Sequence, residues 1–231
     1  MMLLSQIPVR VKYQQVLRMM GQPAAEELSA QNLEKIKPLL NLGQSLLHAA
    51  AFFSMHHFWL EENILRVNER VFHLAAPSNE LVHCRQISVI AVTAGEEISR
   101  QGERFMHAGE MTAAFILDAV GTVAVEEAAN YTVNLIARQQ RLQGLHPTPR
   151  FLPGCRGFSL QDLPALLSLA KGERLGITCN DHFQMTPVKS LVFLVGWSAI
   201  EYKLASKCAA CPKRNCQYRQ SSMEGENQIV L

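Results

Sequence analysis

The sequence predicts an α+β fold in a single domain, with an antiparallel sheet and packed helices. Three observations favour this class. Helical and strand-like segments are mixed along the chain rather than alternating regularly, as they would in a doubly wound sheet. A long helix is expected over 110–142, and its first half is apolar nearly all round, which indicates burial on several sides. The sequence has no P-loop and no G-x-G-x-x-G after a strand, so the usual nucleotide-binding folds are not indicated.

The first part of the chain predicts strands around one long helix. Leucine and isoleucine recur near the helical period after Pro23, and Glu26 and Glu27 suit a helix start. Strand segments are recognised by alternation of apolar and polar residues. The predicted elements are a strand at 9–13, a helix at 23–54, and strands at 57–66 and 69–75.

The second part begins with a buried strand at 87–92, predicted from its β-branched residues, and Glu96 and Glu97 then open a helix. The later predicted elements are the helix at 110–142, a helix at 161–171, and strands at 174–178 and 190–196. We divide the chain into an N-terminal part of the same domain at 1–84, a core with a cysteine-rich tail at 85–220, and a loose end at 221–231.

Composition limits the function classes. With 48% apolar and 18% charged residues, the chain can bury a substantial core, and a net charge of +2 gives no global field for nucleic acid. The first residues lack the features of a signal peptide, and no apolar stretch is long enough to cross a membrane. We therefore expect a cytoplasmic protein, in which the six cysteines are reduced thiols or metal ligands.

Two proline-containing loops carry the clearest functional signal. The first, Arg-Phe-Leu-Pro-Gly-Cys, spans 150–155, and the second, Met-Thr-Pro-Val-Lys-Ser, spans 185–190. The guanidinium of Arg150 offers a planar fork of donors that fits a carboxylate, and Gly154 would let a ligand approach bare backbone. The alternative for the first loop is a surface turn with a solvated arginine.

Carboxylates on the long helix provide a second candidate site. Asp118, Thr122 and Glu126 fall on one stripe at intervals of four residues, and a carboxylate in an apolar helix needs partners. This stripe either lines a pocket or forms the solvent edge of the helix. Asp181 with His182 offers a general acid–base pair, although an exposed loop pair is the alternative.

The cysteine-rich tail predicts a metal site. Cys208, Cys211 and Cys216 can meet at one zinc ion or iron–sulfur cluster, but both normally need four ligands. The fourth could be Cys84, Cys155, Cys179, a histidine or an outside ligand, and three thiols without metal are the alternative. Basic residues in the same tail suit docking of an acidic electron carrier, or form an ordinary solvated tail: Lys203, Lys207, Lys213, Arg214 and Arg219.

In order and separation, the loops at 150–155 and 185–190 resemble the activation domain of cobalamin-dependent methionine synthase. That family carries an Arg-x-x-Pro-Gly-Tyr loop followed by a Met-x-Pro-x-x-Ser segment that leads into an apolar strand. The resemblance covers roughly 85–220 and includes the apolar helix with its acidic residues and a cysteine-rich tail. One departure is Cys155, which stands where the family has tyrosine.

The resemblance implies an activator that binds S-adenosylmethionine and supports reductive methylation of cobalamin. No cobalamin-binding Asp-x-His-x-x-Gly run is present, so the cobalamin would belong to a partner, either a methionine synthase chain or another corrinoid methyltransferase. A flavodoxin or ferredoxin would supply the electron; neither nucleic acid nor a membrane is an expected partner, and no residue of the chain is assigned as catalytic. The implied ligand-binding residues are Arg150, Leu152, Gly154, Cys155, Asp118, Glu126, Asp181 and Met185.

Two other functions remain open at this point. One is an iron–sulfur or zinc protein that acts as a redox or docking module through its cysteine tail. The other is a non-catalytic scaffold that binds S-adenosylmethionine and leaves cobalamin unchanged.

Overall fold

The computed structural model describes residues 1–21, 30–74, 78–155 and 158–202. The α-helices in these residues are α1 (Tyr13–Met19), α2 (Ala30–Ser45), α3 (Asn79–Val82), α4 (Glu97–His107), α5 (Met111–Arg141) and α6 (Leu163–Leu169). The strands are β1 (Met2–Leu4), β2 (Ala50–His56), β3 (Phe58–Glu61), β4 (Ile64–Val67), β5 (Arg70–His73), β6 (Cys84–Thr93), β7 (His146–Pro147), β8 (Thr178–Cys179), β9 (Met185–Thr186) and β10 (Ser190–Ser198).

Five strands form a central antiparallel sheet in the order β1-β2-β6-β10-β7. The two long strands β6 and β10 pair from Ser190 opposite Thr93 to Ser198 opposite Cys84. Strands β3, β4 and β5 form a second sheet, and β8 pairs with β9. The predicted α+β class with an antiparallel sheet is therefore confirmed, as are the strands expected at 87–92 and 190–196.

The central sheet is covered on both faces. On one face, Phe53, Val92 and Phe193 pack against small side chains of α5. The opposite face packs against the second sheet and α6. Helices α1, α2 and α4 contact α5, whose first half shares a further apolar cluster with them. The predicted burial of this helix on several sides is confirmed.

The strand predicted at 9–13 is wrong, because this segment bonds to a side chain. The amide of Val11 donates to the side-chain oxygen of Gln44 at 2.9 Å, and the Gln44 amide donates to the Val9 carbonyl at 2.8 Å. Val9 and Val11 both pack against the core, which explains their alternation. The helix α1 then begins at Tyr13.

Several predicted boundaries also need correction. The helix expected at 23–54 ends at Ser45, and its last residues belong to β2; positions 23–29 lie outside the described residues. The strand expected at 57–66 is the hairpin of β3 and β4, and β5 accounts for the one at 69–75. Of the strand expected at 174–178, the first two residues belong to a 3-10 turn at Gly172–Leu175, and only Thr178 lies in a strand, β8. Lys171 and Gly176, on either side of the turn, adopt left-handed φ angles of 51° and 67°.

The remaining helix predictions agree with the structure. Glu97 begins α4, and α5 spans nearly the whole predicted segment. The helix expected at 161–171 is the shorter α6, preceded by a 3-10 turn at Leu160–Asp162.

Candidate functional site

One stripe of α5 faces the two loops that carry the sequence motifs. It consists of Asp118, Thr122, Glu126 and Asn130, spaced four residues apart over about 18 Å of helix. We call these four residues the α5 stripe. Three of them were predicted to share one face. Asn130 was missed, although it continues the same interval.

The first loop runs beside β10, and this pairing determines where Arg150 points. The Phe151 amide donates to the Leu194 carbonyl and the Leu194 amide donates to the Phe151 carbonyl, both at 2.9 Å. Phe151 is buried in the cluster on the far face of the sheet. Because successive side chains alternate along an extended chain, Arg150 lies on the side of α5.

Arg150 bonds to two residues of the α5 stripe. Its Nη1 donates to Glu126 Oε2 at 3.0 Å, and its Nη2 donates to Asn130 Oδ1. The guanidinium carbon lies 4.9 Å from the centre of the Phe193 ring. Only 12% of the side chain is exposed, so the alternative of a solvated arginine on a surface turn is wrong.

The guanidinium of Arg150 keeps donor capacity for a ligand. Burial lowers its pKa below the ordinary value, while the charges of Glu126 and Glu127 oppose that effect. Arginine has five N–H donors, and the described residues accept two of them. The described contacts therefore hold the fork in place and do not use all of its donors.

The second loop places Lys189 against the α5 stripe, and the sequence did not indicate this contact. Its Nζ donates to Asp118 Oδ1 at 2.6 Å and to Thr122 Oγ1 at 2.9 Å. The lysine side chain is 12% exposed, whereas that of Asp118 is 62% exposed. A Cβ atom at Gly121 would lie 2.9 Å from Lys189 Cγ, so glycine at this position makes room for the lysine stem.

The first loop turns sharply after Phe151. The Cys155 amide donates to the Leu152 carbonyl at 2.9 Å, and the Gly154 amide donates to the Phe158 carbonyl at 3.0 Å. Gly154 has a φ of +80°, which L side chains rarely adopt, while a Cβ there would only touch Leu160 at 3.7 Å. Backbone conformation thus requires this glycine. Cys155 is exposed, and Leu152 packs against the core facing α5.

Asp181 and Met185 lie on the hairpin of β8 and β9. The Asn180 side chain accepts from the amides of His182 and Gln184 at 3.0 and 2.9 Å and so shapes the turn, which leaves Asp181 and His182 exposed. Met185 packs against the cluster on the far face of the sheet. Within the described residues, no hydrogen bond or ion pair joins Asp181 or Met185 to the α5 stripe, and their ligand-binding role stays a prediction.

A separate polar cluster joins the end of β2 to the turn between β4 and β5. His56 Nε2 is 2.6 Å from Ser54 Oγ, and His56 Nδ1 is 3.3 Å from the Asn68 side-chain nitrogen. Burial lowers the pKa of His56 below its ordinary value. The cluster borders a cavity of about 340 Å³, whose lining also includes Arg70 and Lys171. Ser54 is fully buried, so it is not accessible as a nucleophile.

The predicted metal ligands Cys208, Cys211 and Cys216 lie outside the described residues, and zinc or iron–sulfur binding stays a prediction. In the part that the structure describes, no group of three or more histidine, cysteine, aspartate or glutamate side chains could hold a metal ion. None of the helices described here combines the length and the apolar character needed to cross a membrane.

Comparison with known proteins shows the fold. No protein-family model matches the chain, and no curated protein matches it. The solved structure of the MetH reactivation domain bound to AdoHcy is similar, with a TM-score of 0.60 over 81% of this chain and 70% of that chain, at 13% identity. The chain has the fold of the MetH reactivation domain. This is the domain type that the two sequence motifs resemble.

Proposed function

We propose that the protein binds S-adenosylmethionine and supports reductive methylation of the cobalamin of a partner, either a methionine synthase or another corrinoid methyltransferase. Three findings support this proposal: the two motifs, the reactivation-domain fold, and the AdoHcy bound to the similar domain. We further propose that reduced flavodoxin or ferredoxin supplies the electron.

The observation that carries the proposal is the meeting of both motifs at the α5 stripe. Arg150 from the first loop bonds to Glu126 and Asn130, and Lys189 from the second bonds to Asp118 and Thr122. The two cations contact the stripe about 12 Å apart along the helix. A purely structural loop would not need a buried guanidinium whose other donors find no partner among the described residues, because burying a charge is costly.

The charges at the stripe suit this ligand. The fork of Arg150 fits the ligand's carboxylate, since charge-assisted bidentate pairs are strong and directional. Glu126 and Asp118 carry negative charge that favours the ammonium and sulfonium groups. The protein would position the methyl donor, while the partner's cobalamin accepts one electron and the methyl group and S-adenosylhomocysteine leaves.

Calorimetry tests the binding step. We expect S-adenosylmethionine and S-adenosylhomocysteine each to bind once per chain. Arg150→Lys should weaken both, because lysine is a point charge without the planar fork. Arg100→Lys is the matched control, since Arg100 is an exposed arginine paired with Glu96 and Glu97 on α4. Equal affinity in all three proteins would contradict this site.

An anaerobic assay tests the activity. The protein is mixed with a methionine synthase carrying cob(II)alamin, reduced flavodoxin and methyl-labelled S-adenosylmethionine. We expect the cob(II)alamin absorbance to fall and label to appear on the cobalamin. Ligand binding without either change would favour the non-catalytic scaffold instead.

A further inference from the structure

The cavity beside His56 is a second concave site, and it lies away from the α5 stripe. Ser54 and His56 point to the face of the central sheet opposite Phe53, because successive side chains of β2 alternate. That face packs against α6 and the second sheet, whereas α5 covers the other face. A ligand in this cavity would therefore not compete with one held at the α5 stripe.

Three separate segments form this cavity. The end of β2 supplies His56, the turn between β4 and β5 with the first residue of β5 supplies 68–70, and the end of α6 supplies Ser168 and Lys171. We call it the β2–α6 cavity. Its volume of about 340 Å³ is at the lower end of the range for small-molecule sites. The fold thus places polar side chains around a space that suits a small ligand.

The charges around the β2–α6 cavity are mostly positive. Arg70 and Lys171 line it, and Glu69 is the only acid among the described lining residues. None of these three side chains forms an ion pair with another residue that the structure describes. A concave surface with an excess of one charge raises the local concentration of the opposite ion. The cavity therefore attracts an anion.

Neutral donors accompany the two cations. The Asn68 side-chain nitrogen lies 3.3 Å from His56 Nδ1, and His56 Nε2 lies 2.6 Å from the hydroxyl of the buried Ser54. These contacts hold the Asn68 amide, whose nitrogen carries a second N–H. The Ser168 hydroxyl has no hydrogen-bond partner among the described residues. An anion in the cavity could thus accept from Asn68 and Ser168 as well as from the cations.

Lys171 occupies a backbone position where glycine is usual. It follows the last turn of α6 and has a left-handed φ of 51°. Helices commonly end at a glycine in this conformation, because other residues are strained there. The alternative role for Lys171 is contact with the last carbonyls of α6. Lys171→Gly separates the two roles, since it removes the ammonium and suits the backbone.

We propose that the β2–α6 cavity binds a phosphate group, either as the free ion or as the monoester of a small molecule. The guanidinium of Arg70 presents a planar fork to phosphate oxygens, and Lys171 adds a point charge. A phosphate group carries nearly two negative charges at neutral pH, which matches two cations, whereas a carboxylate carries one. This site does not depend on the proposed function.

NMR titration of the full chain with inorganic phosphate at constant ionic strength tests the proposal. We expect saturable shifts at Asn68, Arg70 and Lys171, and no shift at Arg100, an exposed arginine of α4. Acetate is the singly charged control and should bind roughly tenfold more weakly. Absence of a saturable shift at the cavity would overturn the proposal, as would equal binding of acetate.

Ribose 5-phosphate distinguishes the two sources of the phosphate group. Tighter binding than that of inorganic phosphate, with shifts at the same residues, would assign the site to a monoester. Equal or weaker binding would assign it to the free ion. Shifts from ribose 5-phosphate that leave Arg70 and Lys171 unaffected would overturn the proposal.

Four variants test which side chains hold the phosphate. Arg70→Gln and Lys171→Gly should each weaken binding roughly tenfold, the effect of losing one charged contact. Glu69→Gln should tighten it about twofold, because it removes a like charge. Arg174→Gln is the matched control, since Arg174 is exposed in the 3-10 turn after α6 and is not among the described lining residues.

The pattern across these variants decides the outcome. Equal phosphate affinity in all of them would overturn the proposal, as would a loss with Arg174→Gln as large as that with Lys171→Gly. A change in stability with Lys171→Gly at unchanged affinity would assign this lysine to the end of α6 and would also overturn it.

Discussion

Arg150 and Lys189 contact the same helix stripe in different environments. Arg150 is 12% exposed and its partner Glu126 is 30% exposed, so this pair is largely removed from water. Lys189 is equally buried, but its partner Asp118 is 62% exposed. The α5 stripe thus has a closed end around Arg150 and an open end around Lys189.

This difference in exposure indicates that the two ends of the α5 stripe contribute differently to stability. A buried cation with an aromatic ring on one side is fixed in position, and its loss is costly because the remaining charge stays buried. A pair with one exposed partner contributes little stability, since water can replace either member. Under the proposed function, we expect the closed end to orient the ligand and the open end to exchange its partner when a ligand arrives.

The largest expected effect is at the closed end. Arg150→Ala removes the cation that Glu126 and Asn130 face, and the free energy of unfolding should fall by about 3 kcal/mol. Urea unfolding measures this. Arg100→Ala is the exposed control and should change stability by less than about 0.5 kcal/mol. Similar losses in both variants would remove the distinction between a closed and an open end.

A double-mutant cycle at Gly121 tests the contact of the helix with the lysine stem. Gly121→Ala should destabilise the protein by about 1 kcal/mol, because the new Cβ would lie 2.9 Å from Lys189 Cγ. In a Lys189→Ala background, the same change should instead stabilise by up to about 1 kcal/mol, since alanine favours the helix. Urea unfolding of the four proteins gives the coupling, and additive effects would contradict the packing.

Removing the charge at the open end should have a smaller effect. Lys189→Met keeps the stem against Gly121 and removes the ammonium, and the free energy of unfolding should fall by less than about 1 kcal/mol. Asp118→Asn is the matched change on the other partner. A loss as large as that of Arg150→Ala would show that both ends are closed.

The smallest expected effect on stability is at His56, which lies away from the α5 stripe. It concerns how the stability depends on pH. Burial lowers the pKa of His56 in the folded protein below its ordinary value of 6.5, so the unfolded chain binds more protons in this range. Stability should therefore fall as the pH drops below about 6.5. His56→Gln should reduce this slope in urea unfolding at a series of pH values. An unchanged slope would assign the acid sensitivity to other groups.

The sequence correctly predicted the elements whose apolar pattern lies within one continuous segment of the chain. The helix α5 and the strands β6 and β10 carry uninterrupted apolar patterns, and the interval of four residues placed Asp118 and Glu126 on one face. The prediction failed at 9–13, where the backbone bonds to the side chain of Gln44. No local pattern indicates such a partner.

The site was predicted only in part, because its contacts join segments that are far apart in the chain. The loop around Arg150 was recognised, but its contact with Phe193 depends on how two distant segments pair. Lys189 lies inside the second motif, and its partner Asp118 is 71 positions away in the chain. Contacts across such separations are set by the sheet and cannot be read from spacing.

The most direct test of the binding site compares two ligands in two proteins. Calorimetry measures S-adenosylhomocysteine and 5′-methylthioadenosine, which lacks the amino-acid part, with the wild type and Arg150→Lys. We predict that the substitution weakens S-adenosylhomocysteine about ten- to a hundredfold and leaves 5′-methylthioadenosine unchanged. Unchanged affinity for S-adenosylhomocysteine, or an equal loss for both ligands, would contradict a carboxylate held by Arg150.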